Sequence, residues 1–283
     1  MVKIIITFVS VITLSLWAFF NSPSTNNYAL HHQGTLSQPI QNIFGYLGQS
    51  MTTLSQANEF AQKNLLRTGE RWDKQEENIL HSLIKQNKQL IIDNLTKIGM
   101  IDQICPEQKQ YDYVLVMGGL KATFSQKLDY LVQLFDKGYT CTTIVLLAGA
   151  RPLQALEKSG LPETIETEAQ MMEYVYLHSD LKNHAHILVT APMIKKGDGT
   201  LQRPNTDDTL RSFIELNNRP GSCLVISFNP YIMRQTKVAQ NILTSSGYQV
   251  TGAGRAADLE KLDIIMLMDE LARTIFEETK AIQ

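Results

Sequence analysis

Two carboxylates and two guanidiniums in this 283-residue sequence stand where loops turn into helices. Glu168 lies in Thr167-Glu168-Ala169-Gln170, and Asp208 lies in Arg203-Pro204-Asn205-Thr206-Asp207-Asp208-Thr209. A carboxylate held at such a position can take or give a proton as a general acid or base. Arg151, in the GARP run at 149–152, and Arg234, one turn beyond Asn229-Pro230, can clamp an anion through charge-assisted hydrogen bonds. Gly118, Gly119 and Gly149 allow a ligand close to the backbone, and Asn205, Thr206 and Asn229 offer polar groups beside them.

The same residues also fit ordinary helix starts. Thr167 and Gln170 match a capping box. Asn205 or Thr206 can cap a helix whose first turn carries Asp207 and Asp208. Asn229-Pro230 matches an N-cap followed by proline at the first helical position. Each motif therefore has a structural reading beside its chemical one.

Other chemistries find no pattern. Gly118-Gly119 runs into Leu120-Lys121-Ala122, so the dinucleotide fingerprint GxGxxG is missing, as are GxSxG and HExxH. His184 and His186 share a strand face but fall at its amino end, opposite the expected site, and no metal site is assigned. Cys105, Cys141 and Cys223 match no zinc spacing, and a Cys141–Cys223 disulfide is possible without being derivable. The formal net charge of −2 gives no basic excess with which to bind nucleic acid.

The elements that must position these residues are legible from periodicity. Five short apolar runs, 113–117, 143–148, 186–190, 223–228 and a weaker 248–251, end in glycine, alanine-proline or asparagine-proline. Continuous β-branched and aliphatic runs of this length suit strands buried on both faces. Helical patterns at about 124–137, 167–178, 207–217, 231–246 and 258–279 alternate with them. The fold class is therefore α/β, a Rossmann-like three-layer sandwich with a mostly parallel sheet over residues 109–283. Ligands in such sheets bind outside the carboxyl ends of the strands, where the residues named above fall. Residues 49–108 read as an α-helical extension, with helices at about 49–66 and 73–99, the latter capped by Asp73 and stopped by Gly99.

Residues 1–22 read as a signal peptide or membrane anchor: Lys3 precedes Ile4–Phe20, which carry no charge. As a helix that run would be about 26 Å long. Phe19 and Phe20 occupy the positions where a cleavage site needs small residues, so removal and retention both stay open. Residues 23–48, rich in Ser, Asn, Gln, Pro and Gly, read as a linker.

The series VLVMGG (114–119), VLLAGARP (145–152), TEAQMM (167–172), RPNTDDTLRSF (203–213) and VISFNPYIMRQT (225–236) resembles the YdcF/SanA/ElyC-type bacterial family, named by its unknown function. The resemblance covers about residues 111–255. It implies a pocket of Gly118, Gly119, Gly149, Glu168, Asn205, Thr206, Asn229 and Arg234. Many members carry a histidine shortly before the last arginine, where this chain has Tyr231-Ile232-Met233. Family members are linked to envelope biogenesis, and a cytosolic one to S-adenosylmethionine, a poor match for an exported chain.

The expectation is an exported bacterial protein, in the periplasm, anchored to the membrane or secreted. It would touch membrane through residues 4–20 if these are not cleaved. It would bind a small anionic ligand at the strand ends, with Gly118, Gly119, Gly149, Arg151, Asn205, Thr206, Asn229 and Arg234 binding it. Glu168 and Asp208 would serve as acid and base if it is a hydrolase or transferase. The alternatives are a non-catalytic binding or scaffold protein and a cytosolic nucleotide- or S-adenosylmethionine-binding protein. The cofactor stays open.

Overall fold

The computed structural model describes residues 29–67 and 78–282. The signal or anchor reading of residues 1–22 and the Asp73 cap lie outside the described residues. Among the described residues no helix is long and apolar enough to cross a membrane.

Five parallel strands make the central sheet: β1 (Gln110–Met117), β2 (Thr140–Gly149), β3 (His186–Ala191), β4 (Ser222–Phe228) and β5 (Gln249–Arg255). Their order is β3-β2-β1-β4-β5. The chain steps outward from β1 to β3, then returns to the other side of β1 and steps to β5. The order reverses between β1 and β4, which makes their carboxyl ends the topological switch point.

Alternation along β1 explains why both faces are covered. Val114 and Val116 pack with α5 (Lys121–Asp136) and α6 (Glu168–Leu177) through Phe124, Leu128, Leu131, Met171 and Met172. Leu115 and Met117 point the other way, to α7 (Thr206–Leu216) and α8 (Tyr231–Leu243), and meet Leu210, Phe213, Val238 and Ile242. Side chains two apart share a face, so an unbroken apolar strand needs helices on both sides. The expected three-layer α/β sandwich is what forms.

A separate apolar cluster holds the helical part. It joins α1 (Gln38–Tyr46), α2 (Leu54–Asn64), α3 (Ile79–Gln86), α4 (Lys88–Lys97) and the last helix, α9 (Ile264–Lys280). Residues 29–48 are therefore not a linker where the structure describes them. Leu30, Leu36, Ile40, Ile43 and Phe44 are buried in this cluster. The i, i+3, i+4 spacing of Ile40, Ile43 and Phe44 within a polar stretch is enough to seat a short amphipathic helix. The sequence's α/β boundary at 109–283 is likewise crossed by α9, which buries Ile264, Leu267, Met268, Leu271 and Ile275 against α1–α4. Among the bonds that tie this layer to the sheet ends, Ile104 N–H donates to Gly254 O, and Gly254 N–H donates to Ile104 O, both at 2.9 Å.

Candidate functional site

The carboxyl ends of β1 and β2 are held together by one side chain. Glu168 opens α6 and is 8 % exposed. Its Oε1 accepts the Gly119 N–H at 2.9 Å, and its Oε2 accepts the Gly149 N–H at 3.3 Å. Arg151 Nε lies 3.3 Å from Oε2, and Arg151 Nη2 donates to Oε1 at 3.4 Å. Glycine is required for this approach. A Cβ at Gly149 would come 2.7 Å from Pro204 Cγ and 3.3 Å from Glu168 Oε2. Gly119 has φ +154°, and a Cβ there would meet Thr123 Oγ1 at 2.9 Å.

Arg151 is also gripped from the other side. Its Nη1 and Nη2 donate to Glu157 at 2.8 and 2.7 Å. Glu157 in turn accepts the Gln154 N–H at 2.9 Å. Burial pushes the Glu157 carboxyl up, but the Arg151 bonds, the Gln154 N–H and the nearby Arg203 charge outweigh it and hold the carboxyl below its usual range. The Glu157 bonds raise Arg151 further, against its burial and with help from Glu168. One guanidinium thus serves two carboxylates, so Arg151 is not a free anion clamp as the sequence suggests.

Lys127 was not found by sequence reasoning. It is 3 % exposed on α5, and its Nζ donates to Met117 O at 2.7 Å and Gly118 O at 2.8 Å. The same ammonium lies 5.6 Å from the centre of the Phe228 ring, so it bridges the ends of β1 and β4. The available signal was the apolar stripe Phe124, Leu128, Leu131, into which Lys127 falls at i+3. Glu157 could have been found from its capping-box spacing to Gln154.

The remaining candidates take structural places. Thr167 caps α6 in a capping box with Gln170. Asn205 caps α7, its Oδ1 accepting the N–H of Asp207 at 2.7 Å and of Asp208 at 3.3 Å. Asp208 Oδ2 accepts the Asn205 N–H at 2.8 Å, so this candidate acid/base group is half of a capping box. Thr206 is the first residue of α7, and its carbonyl accepts the Thr209 hydroxyl at 2.9 Å.

Two expectations need correction. Asn229 does not cap α8. Its Nδ2 donates to Gly99 O at 2.9 Å and to Asp102 O, tying the helical layer to the end of β4, while Pro230, joined by a cis peptide bond, takes the cap position. Arg234 does not join Arg151 and Glu168. Its Nε donates to Glu270 of α9, because its place on α8 faces that helix.

Two helix starts at the switch point lack a side-chain cap, as do α1 and α4 in the helical layer. α6, α7 and α9 have side-chain caps, whereas α5 and α8, which follow β1 and β4, have none. Their first-turn N–H groups and positive dipole ends are left for another acceptor. Ser227, 1 % exposed, and Asn229, 1 % exposed, add Oγ and Oδ1 atoms without hydrogen-bond partners among the described residues. Among those residues no group of three or more His, Cys, Asp or Glu side chains is placed to hold a metal ion. Compared with protein-family models, curated proteins and solved structures, the chain matches none.

Proposed function

We propose that this chain is a binding protein for a small anionic ligand, phosphorylated or carboxylated, seated at the carboxyl ends of β1 and β4. The carrying observation is the Lys127 ammonium, fixed against Met117 O and Gly118 O and beside the Phe228 ring. It places positive charge at the switch point, beside the uncapped starts of α5 and α8. The unpartnered Ser227 and Asn229 oxygens at the end of β4 offer polar contacts to the rest of such a molecule.

Binding is favoured over turnover because both candidate acid/base groups are already engaged. Glu168 accepts two backbone N–H groups and Arg151, and Asp208 completes the α7 cap. This supports the non-catalytic alternative over a hydrolase or transferase. The uncharged run at 4–20 and the ordered resemblance of 114–236 to the YdcF/SanA/ElyC-type family support an exported, envelope-associated place for the activity.

The test is a thermal-shift series on the full chain with inorganic phosphate, sugar phosphates, nucleotides and S-adenosylmethionine. A ligand at a hundred times its Kd should stabilise by about 2.7 kcal/mol. Lys127→Met keeps the aliphatic stem and removes the charge, and far-UV circular dichroism reports whether the variant folds. A shift in the wild type that disappears in folded Lys127→Met supports the reading. The absence of any shift, or one that survives the substitution, overturns it.

A further inference from the structure

We propose that the candidate site takes a ligand with two anionic groups joined by an apolar or aromatic middle, and that Arg255, at the end of β5, holds the second of them. The proposal rests on the anion-site reading above and narrows its ligand class.

The first observation is a row of residues at one level of the sheet. β4 and β5 pair so that Phe228 stands beside Arg255, and β1 and β4 pair so that Val116 stands beside Ile226. Two residues further along, Gly118 is level with Phe228, and its carbonyl accepts from Lys127 Nζ at 2.8 Å. Side chains two apart share a face, and Leu224, Ile226 and Ala253 pack with Phe124, Leu128 and Tyr130 of α5. Phe228 and Arg255 therefore leave the sheet on the α5 side, the side of Lys127. Burial raises the Tyr130 phenol above its usual range and the Arg255 charge works against that, which puts the guanidinium on this side as well. The Asn229 N–H donates to Arg255 O at 2.9 Å and holds the two strand ends together.

The second observation is that Arg255 is uncommitted. Arg151, Arg211, Arg234 and Arg273 each pair with a carboxylate. The exposed Arg255 side chain makes no hydrogen bond or ion pair among the described residues. Asp258, three residues on, is taken by Lys261 at 2.7 Å.

The third is spacing. β1, β4 and β5 are consecutive in the sheet, so at about 4.8 Å between neighbouring strands the outer two stand about 10 Å apart. The half-buried Phe228 ring lies between, its centre 5.6 Å from the Lys127 ammonium. A single phosphate or carboxylate at Lys127 leaves Arg255 two strands away. A molecule with an anionic group at each end and an apolar middle meets the ammonium, the ring and the guanidinium in turn. The ring offers apolar contact to the middle, and the guanidinium offers a two-bonded fork to the far carboxylate or phosphate. Once the first anion is bound, the second contact is intramolecular.

The experiment titrates the full chain, by thermal shift, with straight-chain dicarboxylates of rising length from succinate to suberate. Each is run beside the monocarboxylate with the same number of carbons, so that the gain from added methylenes cancels. In the wild type the ratio of dicarboxylate to monocarboxylate affinity should rise with length, to about tenfold or more once the chain bridges both cations. Arg255→Met, checked for folding by far-UV circular dichroism, should flatten that rise, and Arg255→Gln repeats the test with a polar side chain. A wild-type ratio that does not rise with length, or a rise that survives in the folded variants, overturns the proposal. Inorganic phosphate, run beside these, separates the two failures. A shift with phosphate but no rise with length leaves the anion site standing and rejects the second clamp. No shift with any of these anions rejects both.

Discussion

Arg234 of α8 and Glu270 of α9 form an ion pair in which Glu270 is 2 % exposed. The pair joins the last helix, which packs with α1–α4, to a helix of the sheet sandwich. Breaking a buried pair from one side is costly because the surviving charge stays desolvated. Glu270→Ala should therefore lower stability by about 3 kcal/mol, seen as a lower urea midpoint. The double variant Arg234→Met/Glu270→Leu should lose clearly less than Glu270→Ala alone, since neither charge remains. A double variant as unstable as the single one would show that the charges themselves hold α8 and α9 together.

Glu168 is predicted to matter for folding first. Removing its carboxylate leaves the Gly119 and Gly149 N–H groups without an acceptor and leaves Arg151 with Glu157 alone. Glu168→Gln keeps the volume, but its amide group sets donors against donors. A loss of about 2–3 kcal/mol is expected for Glu168→Gln, from unsatisfied buried groups. Urea titration of the two proteins measures it. Unchanged stability would mean that the carboxylate is not the tie between β1, β2 and α6.

The sheet and its helices were readable because each strand is an apolar run buried on both faces, and each covering helix repeats its apolar residues every three or four positions. What escaped depended on partners distant in sequence. Arg234 looked like a pocket residue because position in a helix does not reveal which neighbour it will face, and Glu270 lies 36 residues further on. Asn229 fits a cap motif locally, yet its carboxamide bonds Gly99, 130 residues earlier. The short helix at 38–46 was hidden by the polar residues around Ile40, Ile43 and Phe44, and only the cluster it joins makes it form. Lys127 was passed over because a lysine on an apolar stripe reads as an ordinary interruption until its carbonyl partners at the end of β1 are seen.

Gly252 explains how α8 lies so close to β5. A Cβ there would fall inside the van der Waals contact of Thr236 Oγ1 and 3.1 Å from Thr236 Cβ. Gly252→Ala should destabilise by about 2 kcal/mol, the usual scale of overpacking. Thr236→Ala removes the atom in the way, so Gly252→Ala in that background should cost much less. The coupling from a double-mutant cycle, about 1 kcal/mol or more, checks the contact. Additive effects would show that some other neighbour excludes a side chain at position 252.

Asp112 clasps the amino ends of β1 and β4. Its Oδ2 accepts the Ser222 N–H at 2.7 Å and the Ser222 hydroxyl at 2.8 Å. The backbone bond first, then the hydroxyl, hold the carboxyl below its usual value, against a small opposing effect of burial. A carboxyl whose folded pKa is depressed binds its proton more readily when the chain is unfolded. Its contribution is therefore complete above the unfolded value of about 3.9 and disappears as pH falls through the lower folded value. Wild type and Asp112→Asn should differ most in urea midpoint near neutral pH and converge below about pH 4. A difference that stays constant down to pH 2 would show that ionisation of Asp112 is not linked to folding, and that the Ser222 bonds act through shape alone.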